Sequence, residues 1–173
     1  MKISDAGKAP KPDSTLTDGF NLYKEFNNGG CIEIINGYIK KSDHKDLLSI
    51  SRSFAIKGKK VQITTEIHYK DEKYEQIFGT LTETIYARKC PDLIIDGKFY
   101  EYESFIPPFN KGKIAHMISK GTKQSSRIII NNTKGCSDRY ILNNIGNRLH
   151  DKSFKNVIEE VWVYEKGKTR KIW

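Results

Sequence analysis

The apolar positions of this chain change period several times, and each change marks an expected element. Leu47, Leu48, Ile50 and Phe54 recur near helical spacing, and Gly58 closes the run. Ser42 is placed to cap this helix, with Asp43 in its first turn. Residues 61–67 (VQITTEI) then alternate with period two and read as a strand. A helix is expected over about 111–125, with Ile114, Met117, Ile118 and Gly121 on its inner side. The unbroken apolar run of residues 126–132 (SRIIINN) suits a buried central strand. Ser137 and Asp138 open another helix to Leu149, whose core stripe is Tyr140, Ile141, Ile145 and Leu149. Residues 157–164 read as a strand turned by Lys166-Gly167 towards 169–173, with Trp162 and Trp173 expected to pack.

Elsewhere the pattern is weaker. Residues 19–26 read as a short helix broken by Asn27-Asn28-Gly29-Gly30, and residues 31–40 as a hairpin around Asn36-Gly37. Residues 70–89 read as a loop or short helix. Residues 1–18, rich in Lys, Pro, Ser and Asp, read as a flexible leader or as the worn end of a longer parent protein. The remainder, 19–173, is expected to be a single domain of the α/β (α+β) class. Its central mixed sheet would be flanked by helices on both faces.

The clearest short-range signal is Asp96-Gly97 between two runs rich in β-branched and aromatic residues, a strong two-residue hairpin signature. A type I′ turn there sets Ile95 opposite Lys98, Ile94 opposite Phe99, Leu93 opposite Tyr100 and Asp92 opposite Glu101. Glu103, two residues on, shares the face of Glu101. Asp92, Glu101 and Glu103 therefore converge. Opposed carboxylates sit roughly 5 Å apart at Cβ and repel unless a cation lies between them. Such an all-oxygen donor set suits Mg²⁺ or Mn²⁺. The alternative is an exposed hairpin whose polar face happens to be acidic.

Charge sharpens the picture. Thirty Lys and Arg against 21 Asp and Glu leave +9, which favours polyanionic partners, nucleic acid first. From Asn110 to Arg127 the charged residues are Lys111, Lys113, Lys120, Lys123 and Arg127, with no acid among them. Together with Gln124 they are the expected nucleic-acid contacts, placed where a phosphodiester backbone must run. His116 reads as a surface histidine rather than a general base. Cys31, Cys90 and Cys136 show no CxxC spacing, which points to a reducing compartment and a cytoplasmic setting. No apolar run approaches the roughly 20 residues of a membrane helix. No P-loop, GxSxG, HExxH or zinc-finger spacing occurs.

Pro91-Asp92, eight intervening residues, then Glu101-x-Glu103 resembles the PD-(D/E)XK, restriction-endonuclease-like nuclease superfamily, over roughly residues 42–132. More narrowly, PDLIIDGKFYEYES, then a basic helix ending in Lys-Gln, then Arg-Ile-Ile-Ile, is similar to the C-terminal nuclease domains of CdiA-type contact-dependent inhibition toxins, several of which are tRNases. The superfamily usually carries Lys where this chain has Glu103, although some of its restriction enzymes carry Glu-x-Glu. The resemblance implies a metal-dependent nuclease in which Asp92 and Glu101 hold Mg²⁺ or Mn²⁺ with a backbone carbonyl after Glu101. Glu103 would be general base or ligand of a second metal, and Lys120 or Lys123 would replace the usual lysine. A fourth acidic ligand would come from Asp46 or Glu66. The toxin likeness favours tRNA, the wider superfamily DNA, and a toxin would require an acidic immunity protein. Two other readings stand beside this one: a metal-independent RNase of the barnase, EndoU, colicin or RelE kind, and a catalytically inactive nucleic-acid-binding domain.

Overall fold

The computed structural model describes residues 19–173, and the leader expected over 1–18 lies outside the described residues. Strands β1 (Phe20–Glu25), β2 (Cys31–Ile35), β3 (Lys60–Ile63), β4 (Leu93–Ile95), β5 (Lys98–Glu103), β6 (Arg127–Asn131), β7 (Glu160–Glu165) and β8 (Lys168–Lys171) lie in chain order in one eight-stranded mixed sheet. Helix α1 (His44–Ala55) joins β2 to β3, and α2 (Glu72–Phe78) with a 3-10 turn lies between β3 and β4. Helix α3 (Gly112–Gly121) joins β5 to β6, and α4 (Asp138–His150) joins β6 to β7. Parallel neighbours need a crossover. Each parallel pair here, β2/β3, β5/β6 and β6/β7, has a helical one.

Side-chain alternation along the central strands splits the core in two. Ile129 of β6 joins Val61, Ile63, Leu93, Tyr100 and Tyr102 beneath Leu47, Ile50 and Phe54 of α1. Its neighbours Ile128 and Ile130 point the other way, to Ile114, Met117 and Ile118 of α3 and Ile141 and Ile145 of α4. All three isoleucines are fully buried. At about 1.5–3 kcal/mol each for burial, they fix which residues of β5, the neighbouring strand, meet α3. Tyr100 and Tyr102 pack on the α1 side, so alternation turns Glu101 and Glu103 towards the α3 side.

Several expectations are corrected. Residues 20–25 form an edge strand, not a helix: five of its six side chains are exposed, so backbone pairing to β2 decides the conformation. The hairpin turn is at 26–30, where the Phe26 N–H donates to Gly30 O at 2.9 Å. Asn36-Gly37 instead turns the chain off the sheet towards α1. Asp43, not Ser42, is the N-cap residue of α1, and its side chain makes no capping bond. Strand β3 ends at Ile63 and α3 at Gly121, both short of the expected limits. Leu149 is 45% exposed and outside the core. Trp162 packs edge-on against Phe54, while Trp173 is 44% exposed.

Candidate active site

The Asp96-Gly97 turn has φ of 47° and 78°, the double left-handed geometry of type I′. The β4/β5 register is the expected one, Ile95 with Lys98 through Leu93 with Tyr100. One step beyond the ladder, the Asp92 N–H donates to Glu101 Oε2 at 3.3 Å, and the Tyr102 N–H donates to Asp92 Oδ2 at 3.2 Å. The turn thus positions both carboxylates through backbone bonds. Glu103 follows on the same face and is 2% exposed. A Cβ on Gly121 of α3 would lie 3.0 Å from Glu103 Cγ, so glycine lets the helix close over this carboxylate.

Two lysines offset the acidic cluster. Lys41 Nζ donates to Asp92 Oδ1 at 3.2 Å, and Lys120 Nζ donates to Glu103 Oε2 at 2.8 Å. Burial raises Asp92 above the usual carboxylate range, against the pull of Lys41. Burial followed by the charges of Asp92 and Glu103 pushes Glu101 well above it. Glu103 is raised by burial, with Lys120 opposing. Lys41 is held above its ordinary value: burial opposes its charge, but Asp92, then Glu66 and Glu101, outweigh that cost. Clustered carboxyls that resist ionisation beside a cleft make this region the candidate site.

The expected residues fall into three groups. Asp92, Glu101 and Gln124 line a cavity of about 520 Å³ together with Lys41 and Glu66. Glu103, Lys113, His116 and Lys120 line a second cavity of about 290 Å³, with Asp43. The rest are placed elsewhere. Lys123 is exposed and lines neither cavity. Lys111 lies over the Tyr140 ring at 5.6 Å. Arg127, also expected to contact nucleic acid, pairs with Glu159 and Glu160. Asp46 is corrected: it accepts the Tyr102 hydroxyl at 2.6 Å, and Tyr102 packs on the α1 side, facing away from Glu101 and Glu103.

Two residues of the site carried no sequence signal for it. Lys41 belongs to the segment before α1, 51 positions from Asp92, and only the fold brings them together. Asp43 read as a helix-terminus acid, yet its Oδ1 is buried without a hydrogen-bond partner, as is Oε1 of Glu103. Both carboxyls line the smaller cavity, and the charge of Asp43 adds to the upward pressure on Asp92 and Glu103. Asp43 therefore lies beside Glu103 where Asp46 does not, and Glu66, the other acid expected near the site, lines the larger cavity with Asp92 and Glu101.

The donors are all carboxylate oxygens, two of them buried and unpartnered, and this chemistry fits a hard divalent cation. Among the described residues, no three His, Cys, Asp or Glu side chains already stand as a metal-ligating group. The ammonium groups of Lys41 and Lys120 pair with Asp92 and Glu103. Among the described residues no helix is long and apolar enough to cross a membrane. No family model, curated protein or solved structure matches the chain.

Proposed function

We propose that this chain is a metal-dependent nuclease that hydrolyses phosphodiester bonds, with RNA, and tRNA first, as its substrate and DNA as the alternative. The observation that carries the proposal is the hairpin itself. It ties Asp92 to Glu101 at 3.3 Å and sets Glu103 beside them, with lysines at both ends of the cluster. The preference for tRNA rests on the resemblance to CdiA-type toxin domains, and the net charge of +9 is consistent with any nucleic acid. The same charge suits an acidic inhibitor protein.

Asp92 and Glu101 would hold Mg²⁺ or Mn²⁺, with Asp43 and Glu103 next to them. Such a cation supplies a polarised phosphoryl oxygen and a more acidic water. Glu103, raised above its ordinary value by burial with Lys120 opposing, accepts the proton of the attacking water. Lys120 stays protonated because its hydrogen bond to Glu103 raises it further. Its ammonium offsets charge that builds on the phosphate. Lys41 does the same beside Asp92.

The test is incubation of the purified protein with total tRNA and with plasmid DNA, in Mg²⁺, Mn²⁺ or EDTA. Metal-dependent cleavage supports the proposal, and the polymer cut assigns the substrate. Cleavage that survives EDTA overturns it in favour of a metal-independent RNase. No cleavage of either polymer leaves a binding domain.

A further inference from the structure

The larger cavity has a wall that the hydrolytic chemistry leaves unused. Beyond Asp92 and Glu101 it is lined by His68, Tyr69, Arg88 and Lys89, from the segments on either side of α2. The rings of His68 and Tyr69 lie 4.7 Å apart at 30°, and the Arg88 guanidinium sits 4.5 Å from the Tyr69 centroid. Three planar groups thus lie against one another in the lining of the cavity, and Tyr69 remains 41% exposed. Arg88 holds its place with a φ of 65°, a left-handed conformation uncommon for a residue other than glycine.

From this wall we infer that the cavity receives one unpaired nucleobase next to the scissile phosphate, with the His68–Tyr69–Arg88 layer as its stacking platform. The inference rests on the nuclease reading and adds to it the substrate class: a single-stranded or looped strand rather than continuous duplex. Planar aromatic and guanidinium groups take any base through its π-face. A volume of about 520 Å³ falls within the size range of single-ligand pockets. A base inside a duplex reaches a concave wall only by leaving its stack, at a cost that an unpaired base avoids. Lys41, Arg88 and Lys89 give the same cavity the cations to hold the flanking phosphates. Ribose and deoxyribose strands share this chemistry.

The experiment uses the full chain in EDTA, so that binding is read without cleavage. The probe is a short single-stranded oligonucleotide carrying a fluorescent adenine analogue, made as RNA and as DNA, and compared with its duplex. The expected result is quenching of the analogue on binding and at least tenfold tighter binding of single strand than of duplex. Tyr69→Ala should weaken single-strand binding by about tenfold and abolish the quench, whereas Tyr69→Phe keeps both. Equal affinity for strand and duplex, or binding without quench in the wild-type protein, overturns the inference whatever the variants do. The RNA and DNA probes show whether the sugar matters. Cleavage with Mg²⁺ is scored separately. Tyr69-dependent binding without cleavage sinks the nuclease reading alone, and cleavage unaffected by Tyr69→Ala sinks the platform alone.

Discussion

The N–H of Asp92 donates to Oε2 of Glu101 at 3.3 Å across the hairpin, so the backbone of one carboxylate residue holds the side chain of the other. This bond does not cancel the cost of confining both acids, and Glu101 stays well above the carboxylate range through burial, then Asp92 and Glu103. The folded protein therefore binds a proton at Glu101 that the unfolded chain releases near pH 4.3. A native state that binds more protons loses stability as pH rises. The contribution of Glu101 should fall from about pH 4.3 upwards until its folded pKa is passed. Thermal melts of wild type and Glu101→Gln from pH 4 to 8 isolate it. The variant should match wild type at the acid end and melt a few degrees higher at neutral pH. Equal melting temperatures throughout would contradict the shift.

Lys41 places its ammonium 3.2 Å from Oδ1 of Asp92 and offsets the charge of the opposed carboxylates. Lys41→Met should destabilise the protein in EDTA by about 1–2 kcal/mol, between the values for exposed and buried pairs because Lys41 is 30% exposed. A divalent cation should replace the lost ammonium. Millimolar Mg²⁺ should therefore raise the melting temperature of the variant more than that of wild type. Equal increments would show that Lys41 and the metal do not share a site.

Gly121 allows α3 to approach Glu103. Alanine in a helix normally gains up to about 1 kcal/mol over glycine. Here the new Cβ would lie 3.0 Å from both Glu103 Cγ and Ile128 Cγ2, an overpacking that costs about 1–3 kcal/mol. Urea unfolding of Gly121→Ala should show a net loss of about 1 kcal/mol, and nuclease activity should drop as Glu103 is displaced. A stabilised variant would mean that the helix shifts freely.

The parts of this molecule that could be read from sequence are those whose signals are local. Asp96-Gly97 set the hairpin register, and the Ile128–Ile130 run marked the central strand. Helix α4 began at its expected cap, with the Ser137 side chain accepting from the Tyr140 N–H. Strand β1 escaped because an edge strand with exposed side chains has no buried stripe to set its period. The ion pairs of Arg127 had no sequence signal because its partners, Glu159 and Glu160, arrive from the residue before β7 and the first residue of that strand. Lys41 and Asp43 were missed for a related reason. Each is an ordinary polar residue near a helix start, and each gains its role only when β2, α1 and β3 bring that helix start to the hairpin.

Lys120, in the last turn of α3, and Lys123, just beyond the helix, are three residues apart yet differ in what they touch. Lys120 bonds Glu103, while Lys123 lines neither cavity. Lys120→Met should lower kcat by about 10²-fold, the scale of a lost charge-stabilising donor. Lys123→Met should leave kcat near wild type and weaken substrate binding only slightly, in a salt-dependent manner. Equal losses in kcat would move the missing lysine elsewhere.

Metal-dependent cleavage by this chain requires Asp92 and Glu101 to act together as the metal-holding pair. The most direct measurement is cleavage of tRNA and plasmid DNA in Mg²⁺ by wild type, by Asp92→Ala/Glu101→Ala, and by Lys123→Met as a folded basic-residue control. Wild type and the control should cut, and the double variant should retain the fold by circular dichroism while losing cleavage to the level of wild type in EDTA. A folded double variant that still cuts in Mg²⁺ would contradict the account.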